Sequence, residues 1–171
     1  VNLSTTRAVD DVAARYKATV LRTPVGEINV AQRMREVGAI VGGEGSGGVI
    51  LPVLHYGRDA VVGIGIILQQ LVDFGGTLSD FKASLPQYFI VKSKVELGDE
   101  SPDALFVRIR GRHGGNGNVD THDGLKIDFS DSWVHLRKSN TEPVVRIIAE
   151  APTAERARAL ADEFKQEVLQ S

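Results

Sequence analysis

Asp123-Gly124-Leu125-Lys126-Ile127-Asp128-Phe129-Ser130-Asp131-Ser132-Trp133-Val134-His135-Leu136-Arg137 decides how the C-terminal half folds. Leu125, Ile127 and Phe129 alternate with charge, the two-residue period of a strand with one buried face. Ser130-Asp131-Ser132 is a turn cluster, and the apolar-rich run Trp133–Arg137 returns from it, so the stretch reads as a β-hairpin. His135, between Val134 and Leu136, is expected as an outward-facing or satisfied strand residue. On the C-terminal side, Val144–Glu150 is a third strand. Thr153 then caps a terminal helix whose apolar face is Ala157, Leu160, Ala161, Phe164 and Val168. On the N-terminal side, Gly114–Asn118 is a loop, Ser101-Pro102 starts a helix with proline at its first position, and Tyr88–Leu97 is a long strand. Together these predict an α+β domain with a mostly antiparallel four-stranded sheet and two helices, over residues 87–171.

The first 86 residues follow a different pattern. Val9, Val12, Ala13 and Tyr16 fall at helical spacing, which predicts a helix over Thr6–Lys17. Ala18–Leu21 is a short β-rich run. Asn29 can cap a second helix carrying Val30, Met34 and Val37. Ala39–Val41 is a short apolar strand entering a glycine-rich loop, and Val49–Leu51 follows it. His55–Asp59 reads as a loop ending in a helix cap. Asp59 caps an apolar helix to about Phe74, which Gly75-Gly76 stop, and Thr77 opens a short helix that Pro86 ends. Strands alternating with helices argue an α/β unit with helices on a mixed, mostly parallel sheet.

Bulk properties exclude several classes. The 171-residue chain has a formal net charge of −2. Eight Lys and Arg stand against eight Asp and Glu before Pro86, and twelve against fourteen after it, so neither part has the basic excess of a nucleic-acid binder. With no cysteine, disulfides and thiolate metal sites are out. The longest apolar stretch, Ala60–Leu68, is too short to span a bilayer and holds two glycines. No signal peptide is visible, which leaves a cytoplasmic protein with neither nucleic acid nor membrane as partner. A chain that begins at Val1 rather than Met reads as a processed product or a piece of something longer.

Two loops carry the chemistry. Five of the seven residues from Gly42 to Gly48 are glycine, which lets backbone approach a ligand closely. The exceptions, Glu44 and Ser46, can point the same way in an extended loop. A carboxylate acceptor beside a hydroxyl that donates or accepts suits vicinal sugar hydroxyls. The loop is not a P-loop, because no Lys-Ser/Thr pair follows, and its spacing is not that of a dinucleotide fingerprint. A tight strand-to-strand turn is the alternative that glycine content alone leaves open. The second loop, Arg137-Lys138-Ser139-Asn140-Thr141-Glu142-Pro143, packs a guanidinium, two hydroxyls and an amide between two apolar runs. Arginine grips phosphate with two parallel bonds, and short polar side chains and backbone N–H groups take the remaining oxygens. Its alternative is a strand connection with Asn140 in an Asx-turn and Pro143 restarting the next strand; a mere turn has little need of arginine. His113, Asp120, His122 and Asp123 lack zinc spacing, and no calcium-loop glutamate follows Gly124, so they read as a solvated turn. Local context suggests no Ser/His/Asp constellation.

A loop for sugar hydroxyls and a loop for phosphate imply a sugar phosphate, and here the chain resembles the α-D-phosphohexomutase superfamily: the phosphomannomutases, phosphoglucomutases and phosphoglucosamine mutases. Gly43-Glu44-Gly45-Ser46-Gly47 is similar to the family's sugar-recognition loop in its third domain, and Gly26–Met34 to the segment leading to it. Arg137–Pro143 is similar to the phosphate-binding loop of its fourth domain, where Asp123-Gly124-Leu125-Lys126 and Trp133 also have counterparts. The resemblance covers nearly the whole chain. It implies a partial third domain over residues 1–86 and a complete fourth domain over 87–171. Glu44 and Ser46 would hold sugar hydroxyls, and Arg137, Ser139, Asn140 and Thr141 the phosphate that is not transferred.

The resemblance also implies an isomerase that acts as an intramolecular phosphotransferase in carbohydrate metabolism. In the family, a phosphoserine of the first domain donates a phosphoryl group to give a sugar bisphosphate intermediate, and Mg²⁺ in the second domain offsets developing charge. Neither the serine loop nor the metal loop is found in this chain. It is therefore expected to be the catalytically silent C-terminal part of such an enzyme, with a hexose or hexosamine phosphate and the N-terminal domains as partners. A stand-alone regulatory module that binds sugar phosphates is the alternative. Many members have His where Gly48 lies, and often where Glu27 lies too; these departures lean toward the amino-sugar or broad archaeal-type mutases.

Overall fold

Side-chain caps written in the sequence open helices at Asp59, Thr77, Ser101 and Thr153 of the chain, whose structure is a computed structural model describing every residue except 98, 99, 140, 141 and 171. The chain divides into two units, Val1–Gln87 and Tyr88–Ser171. The first holds α1 (Ala8–Arg15), α2 (Glu27–Val37), β1 (Gly42–Gly43), β2 (Val49–Leu51), β3 (His55–Asp59), α3 (Ala60–Phe74) and α4 (Leu78–Ser84). Asp59 caps α3 by accepting from the Val62 N–H at 2.9 Å, and Gly75 ends it with φ +70°. Thr77 and Asp80 form a reciprocal capping box on α4. Asn29 does not cap α2. The cap position falls three residues earlier, at Gly26, and the Asn29 amide donates back to the Val25 carbonyl at 3.0 Å.

The sheet of this unit runs β1-β2-β3 with both pairings antiparallel. The mostly parallel sheet expected is thus corrected; among the described residues, parallel pairing is confined to the single bridge Asn2–Thr23. The connections explain this, because a parallel crossover needs a dozen residues or more and the segments joining these strands are far shorter. The strand expected at Ala39–Val41 moves to Gly42–Gly43, leaving Ile40 83 % exposed, and Ala18–Leu21 is not a strand. His55–Asp59, expected as a loop, is a strand whose last residue is the cap of α3. The core is small: Val30, Ala31, Met34 and Ile50, with Ala39 and Tyr56 against it. A cavity of about 700 Å³ opens beside it, lined among others by Val9, Ala13, Val20, Met34 and Val37. The apolar helix α3 buries none of its residues.

The second unit holds β4 (Phe89–Glu96), α5 (Pro102–His113), β5 (Asn118–Asp120), β6 (Leu125–Asp128), β7 (Trp133–Lys138), β8 (Val144–Ala151) and α6 (Ala154–Leu169). Its sheet has the order β4-β8-β7-β6-β5, and every neighbouring pair is antiparallel. Five strands replace the four expected. Asn118–Asp120 adds an edge strand too short and too polar to show an alternation, fixed by pairing with Lys126–Asp128 and by Val119 packing on the core. Leu125 and Ile127 of β6, Val134 and Leu136 of β7, and Val145 and Ile147 of β8 share one buried layer with both helices. Helix α6 buries the face read from the sequence, Ala157, Leu160, Ala161, Phe164 and Val168, behind its Thr153 cap. Each large apolar side chain so removed from water contributes about 1.5–3 kcal/mol before conformational entropy is counted.

Candidate functional site

In the first unit the glycine loop leaves β1 and re-enters at β2, closed by the Gly47 N–H donating to the Glu44 carbonyl at 3.0 Å. The Glu44 side chain is turned inward and is 7 % exposed. Its Oε1 accepts from Asn2 Nδ2 at 2.8 Å and from the Gly26 N–H at 2.9 Å, while Oε2 lies 3.6 Å from an Arg58 Nη1. One carboxylate oxygen is therefore committed to the fold by two hydrogen bonds, and the other is held only by the longer ion pair to Arg58. Ser46 is exposed at the loop tip, and among the described residues nothing bonds its hydroxyl. The Gly45 N–H donates to Thr5 Oγ1 at 3.0 Å, which ties the loop to the N-terminal segment. Arg58 also spans Glu27: its backbone N–H reaches Oε1 at 2.8 Å and its Nε reaches Oε2 at 2.9 Å. These two donors hold the Glu27 carboxyl below the usual carboxylate range, the backbone N–H most strongly.

In the second unit, Arg137 is the fifth residue of β7 and Ser139 follows that strand's end. The Ser139 N–H donates to the Val144 carbonyl at 2.9 Å, closing the base of the loop between β7 and β8. Arg137 Nε lies 2.8 Å from Asp123 Oδ2, an ion pair without hydrogen-bond alignment, with both side chains about 20 % exposed. Asp123 can stand there because its neighbour is Gly124, with φ +82°. A Cβ on Gly124 would come within 2.2 Å of the Leu136 carbonyl oxygen. Asn140 and Thr141, also expected in the phosphate set, lie outside the described residues.

Strand register adds two cations that the sequence reading missed. Arg137 is directly opposite Arg146 on β8, and Arg146 is opposite Lys94 on β4. Asp123 answers Arg137, and Glu142 lies 3.9 Å from Lys94. Like charges facing each other across a sheet cost a few tenths to about 1 kcal/mol, a cost that a bound anion offsets. Only the strand pairing exposes this row, because Arg137 and Arg146 are nine positions apart with a loop between them.

The same sheet face continues into buried polar groups. His135 is fully buried, and its Nε2–H donates to the Asp123 carbonyl at 2.7 Å. Burial lowers its pKa to about 4, against the opposing pull of that bond, so the ring is neutral at pH 7. Trp133 Nε1–H donates to buried Glu150 at 2.7 Å, and the buried Lys126 ammonium lies 2.6 Å from Asp128. Of the alternative readings of His135, the satisfied residue is the one found. Asp120 accepts from the His122 backbone N–H at 2.8 Å in an Asx-type turn. Among the described residues no group of three or more His, Cys, Asp or Glu could hold a metal ion. No single described helix is long and apolar enough to cross a membrane; α3 and α4 reach that length and composition only together, across an 86° bend.

Known proteins are similar to this chain in sequence and in fold. Residues 1–89 match the family model described as phosphoglucomutase/phosphomannomutase, alpha/beta/alpha domain III, and residues 90–167 match that of the phosphoglucomutase/phosphomannomutase C-terminal domain. A probable phosphoglucosamine mutase of Methanopyrus kandleri is 37 % identical over 166 residues, covering 96 % of this chain and 36 % of that protein. A phosphoglucomutase/phosphomannomutase of Thermococcus kodakarensis is 38 % identical over 157 residues, covering 91 % of this chain and 34 % of that protein. The crystal structure of a phosphoglucomutase/phosphomannomutase family protein from Burkholderia thailandensis superposes with a TM-score of 0.76 at 26 % identity, covering 97 % of this chain and 36 % of that one. The chain spans about a third of the length of these relatives. With one family model on each half and these relatives along nearly all of its length, the chain belongs to the phosphoglucomutase/phosphomannomutase family.

Proposed function

We propose that this chain is the substrate-holding C-terminal part of a phosphohexomutase that interconverts hexose or hexosamine 1-phosphate and 6-phosphate. Residues 1–86 supply the sugar-hydroxyl contacts through Glu44 and Ser46. Residues 87–171 supply the contacts to the phosphate that stays in place, through Arg137, Ser139, Asn140 and Thr141. The observation that carries this reading is the cation row Arg137–Arg146–Lys94 running from the loop across β7, β8 and β4, in a unit that sets Asp123 and Glu142 against it but, among the described residues, sets no carboxylate against Arg146. An anion beside Arg137 gains a planar two-point contact and relieves that opposition. The Arg58-paired oxygen of Glu44, which takes no hydrogen bond from Asn2 or Gly26, and the exposed Ser46 hydroxyl would present an acceptor and a donor to a diol.

In the complete enzyme, a phosphoserine outside these residues passes its phosphoryl group to the bound sugar phosphate, and the resulting sugar bisphosphate returns the other phosphoryl group to the serine. The work of this chain in both steps is to hold the spectator phosphate and the ring. The described residues do not fit the magnesium that the resemblance implies. Asp120 is engaged with His122 and Asp123 with Arg137, and no acidic cluster remains, so no step here runs through the metal. The setting of this reading is the cytoplasm, where phosphorylated sugars are retained by their charge.

The test is an NMR titration of the isotope-labelled chain. Inorganic phosphate should shift the amides flanking Arg137 and Ser139. Glucose 1-phosphate should shift these and the Gly43–Gly48 amides as well. Shifts at neither loop, or mutase turnover by the 171-residue chain alone, would overturn the proposal.

A further inference from the structure

We propose that Arg58 is a positioning residue of the glycine loop: it keeps Glu44 in place for the ligand, and it can do so only because position 48 is glycine. This rests on the reading of Glu44 as a sugar contact given above. Arg58 is the fourth residue of β3, a strand joined to the loop through β2. It is braced twice on one carboxylate, through its backbone N–H and its Nε on the two oxygens of Glu27. Two donors from one residue on one carboxylate fix both the strand and the direction of the side chain. The guanidinium so directed ends with Nη1 3.6 Å from Glu44 Oε2, the oxygen that Asn2 and Gly26 do not use.

Arg58 therefore separates two carboxylates. Without it Glu27 and Glu44 would face each other uncompensated, and Glu44, at 7 % exposure, has little water to screen it. Repulsion would turn the Oε2 side of Glu44 away while Oε1 stays tied to the fold. The loop would keep its backbone and lose the direction of its acceptor.

Position 48 reports on the same device from a different side. A Cβ built on Gly48 would lie 2.7 Å from Arg58 Cδ, 3.0 Å from its Cβ and 3.1 Å from its Cγ. The stem of an arginine fixed on a strand cannot yield as the tip of a flexible chain does. Gly48 also has φ +88°, which side chains rarely adopt. A side chain at 48 and Arg58 in its present place exclude one another, although Gly48 makes no contact with either carboxylate through a side chain of its own.

The experiment compares Arg58→Met, Arg58→Lys, Glu27→Gln, Gly48→Ala and Glu44→Gln in the complete mutase carrying this chain, with glucose 1-phosphate as substrate and inorganic phosphate as competitive inhibitor. Arg58→Met should raise KM about ten-fold, on the scale of a lost charged contact, with kcat changed much less. Gly48→Ala should reproduce that split. Arg58→Lys should restore it only in part, since an ammonium cannot fork between two carboxylates. The Glu27→Gln, Arg58→Met double variant should be no worse than Arg58→Met alone. Inhibition by phosphate should be unchanged throughout, whereas a general structural defect would weaken it too. Wild-type KM in Arg58→Met alongside an impaired Glu44→Gln would overturn the positioning role and leave the sugar loop standing. Wild-type KM in Glu44→Gln would overturn both.

Discussion

The two units hold their loops in opposite ways. In the second unit the arms of the loop are β7 and β8, strands anchored in a core of fourteen buried apolar residues that includes both helices. In the first unit the buried apolar cluster has four members, and the glycine loop is held by polar links instead: Asn2 and Gly26 on Glu44, Thr5 on Gly45, Arg58 across to Glu27. A point charge is served by a rigid strand end. On the proposed reading, a ring of hydroxyls would be met by acceptors that hydrogen-bonded side chains hold one by one. The cost is a unit whose order depends on directional bonds and whose helix α3 leaves apolar surface uncovered.

The largest expected effect would test the core difference directly. Phe164→Ala removes a fully buried ring of the second unit and should cost about 3–5 kcal/mol in denaturant unfolding. Ile64→Ala on α3, where the side chain is 59 % exposed, should cost less than about 0.5 kcal/mol. Equal losses would break the comparison. Next comes the strand-held loop. In the complete mutase, Arg137→Ala should lower kcat/KM by an amount equivalent to about 2–4 kcal/mol, and an unchanged value would remove the clamp.

The smallest effect concerns pH. The pKa of His135, lowered by burial to about 4 in the folded state from 6.5, means that the unfolded chain takes up a proton which the folded unit refuses. Stability of the second unit should be complete above about pH 6.5 and fall as pH drops toward about 4, by up to about 3 kcal/mol over that window. Unfolding curves at several pH values should show this slope, and His135→Gln should flatten it. A slope that persists in the variant would assign it to other groups.

What could be read from the sequence was what is decided locally. The Asp59, Thr77, Ser101 and Thr153 caps each act within three residues, and the buried face of α6 follows from helical spacing alone. The hairpin β6–β7 was legible because its alternation and its turn are contiguous. What depended on partners distant in sequence was not. The antiparallel pairing of β1, β2 and β3 follows from connection length rather than from strand composition. Asn118–Asp120 is a strand only because β6 lies beside it. At the candidate site, Glu44, Ser46, Arg137 and Ser139 could be named from their own motifs. Arg58 was hidden behind the cap at Asp59, and Arg146 behind a strand register. Asp123 was weighed as a metal ligand, a turn residue and part of a family stretch, but not as the counter-ion of Arg137 that the glycine after it allows it to be.

The place of β7 and β8 in the sheet has a consequence for how the second unit breathes. Each is flanked on both sides, β8 by β4 and β7, β7 by β8 and β6, while β5 forms an edge. Amide hydrogens of these two strands should therefore exchange with solvent mainly when the whole unit opens, and those of the edge through cheap local fraying. The proposed anion seat hangs from these two strands, so the spacing of Arg137 and Arg146 should outlast the local fraying of the edge.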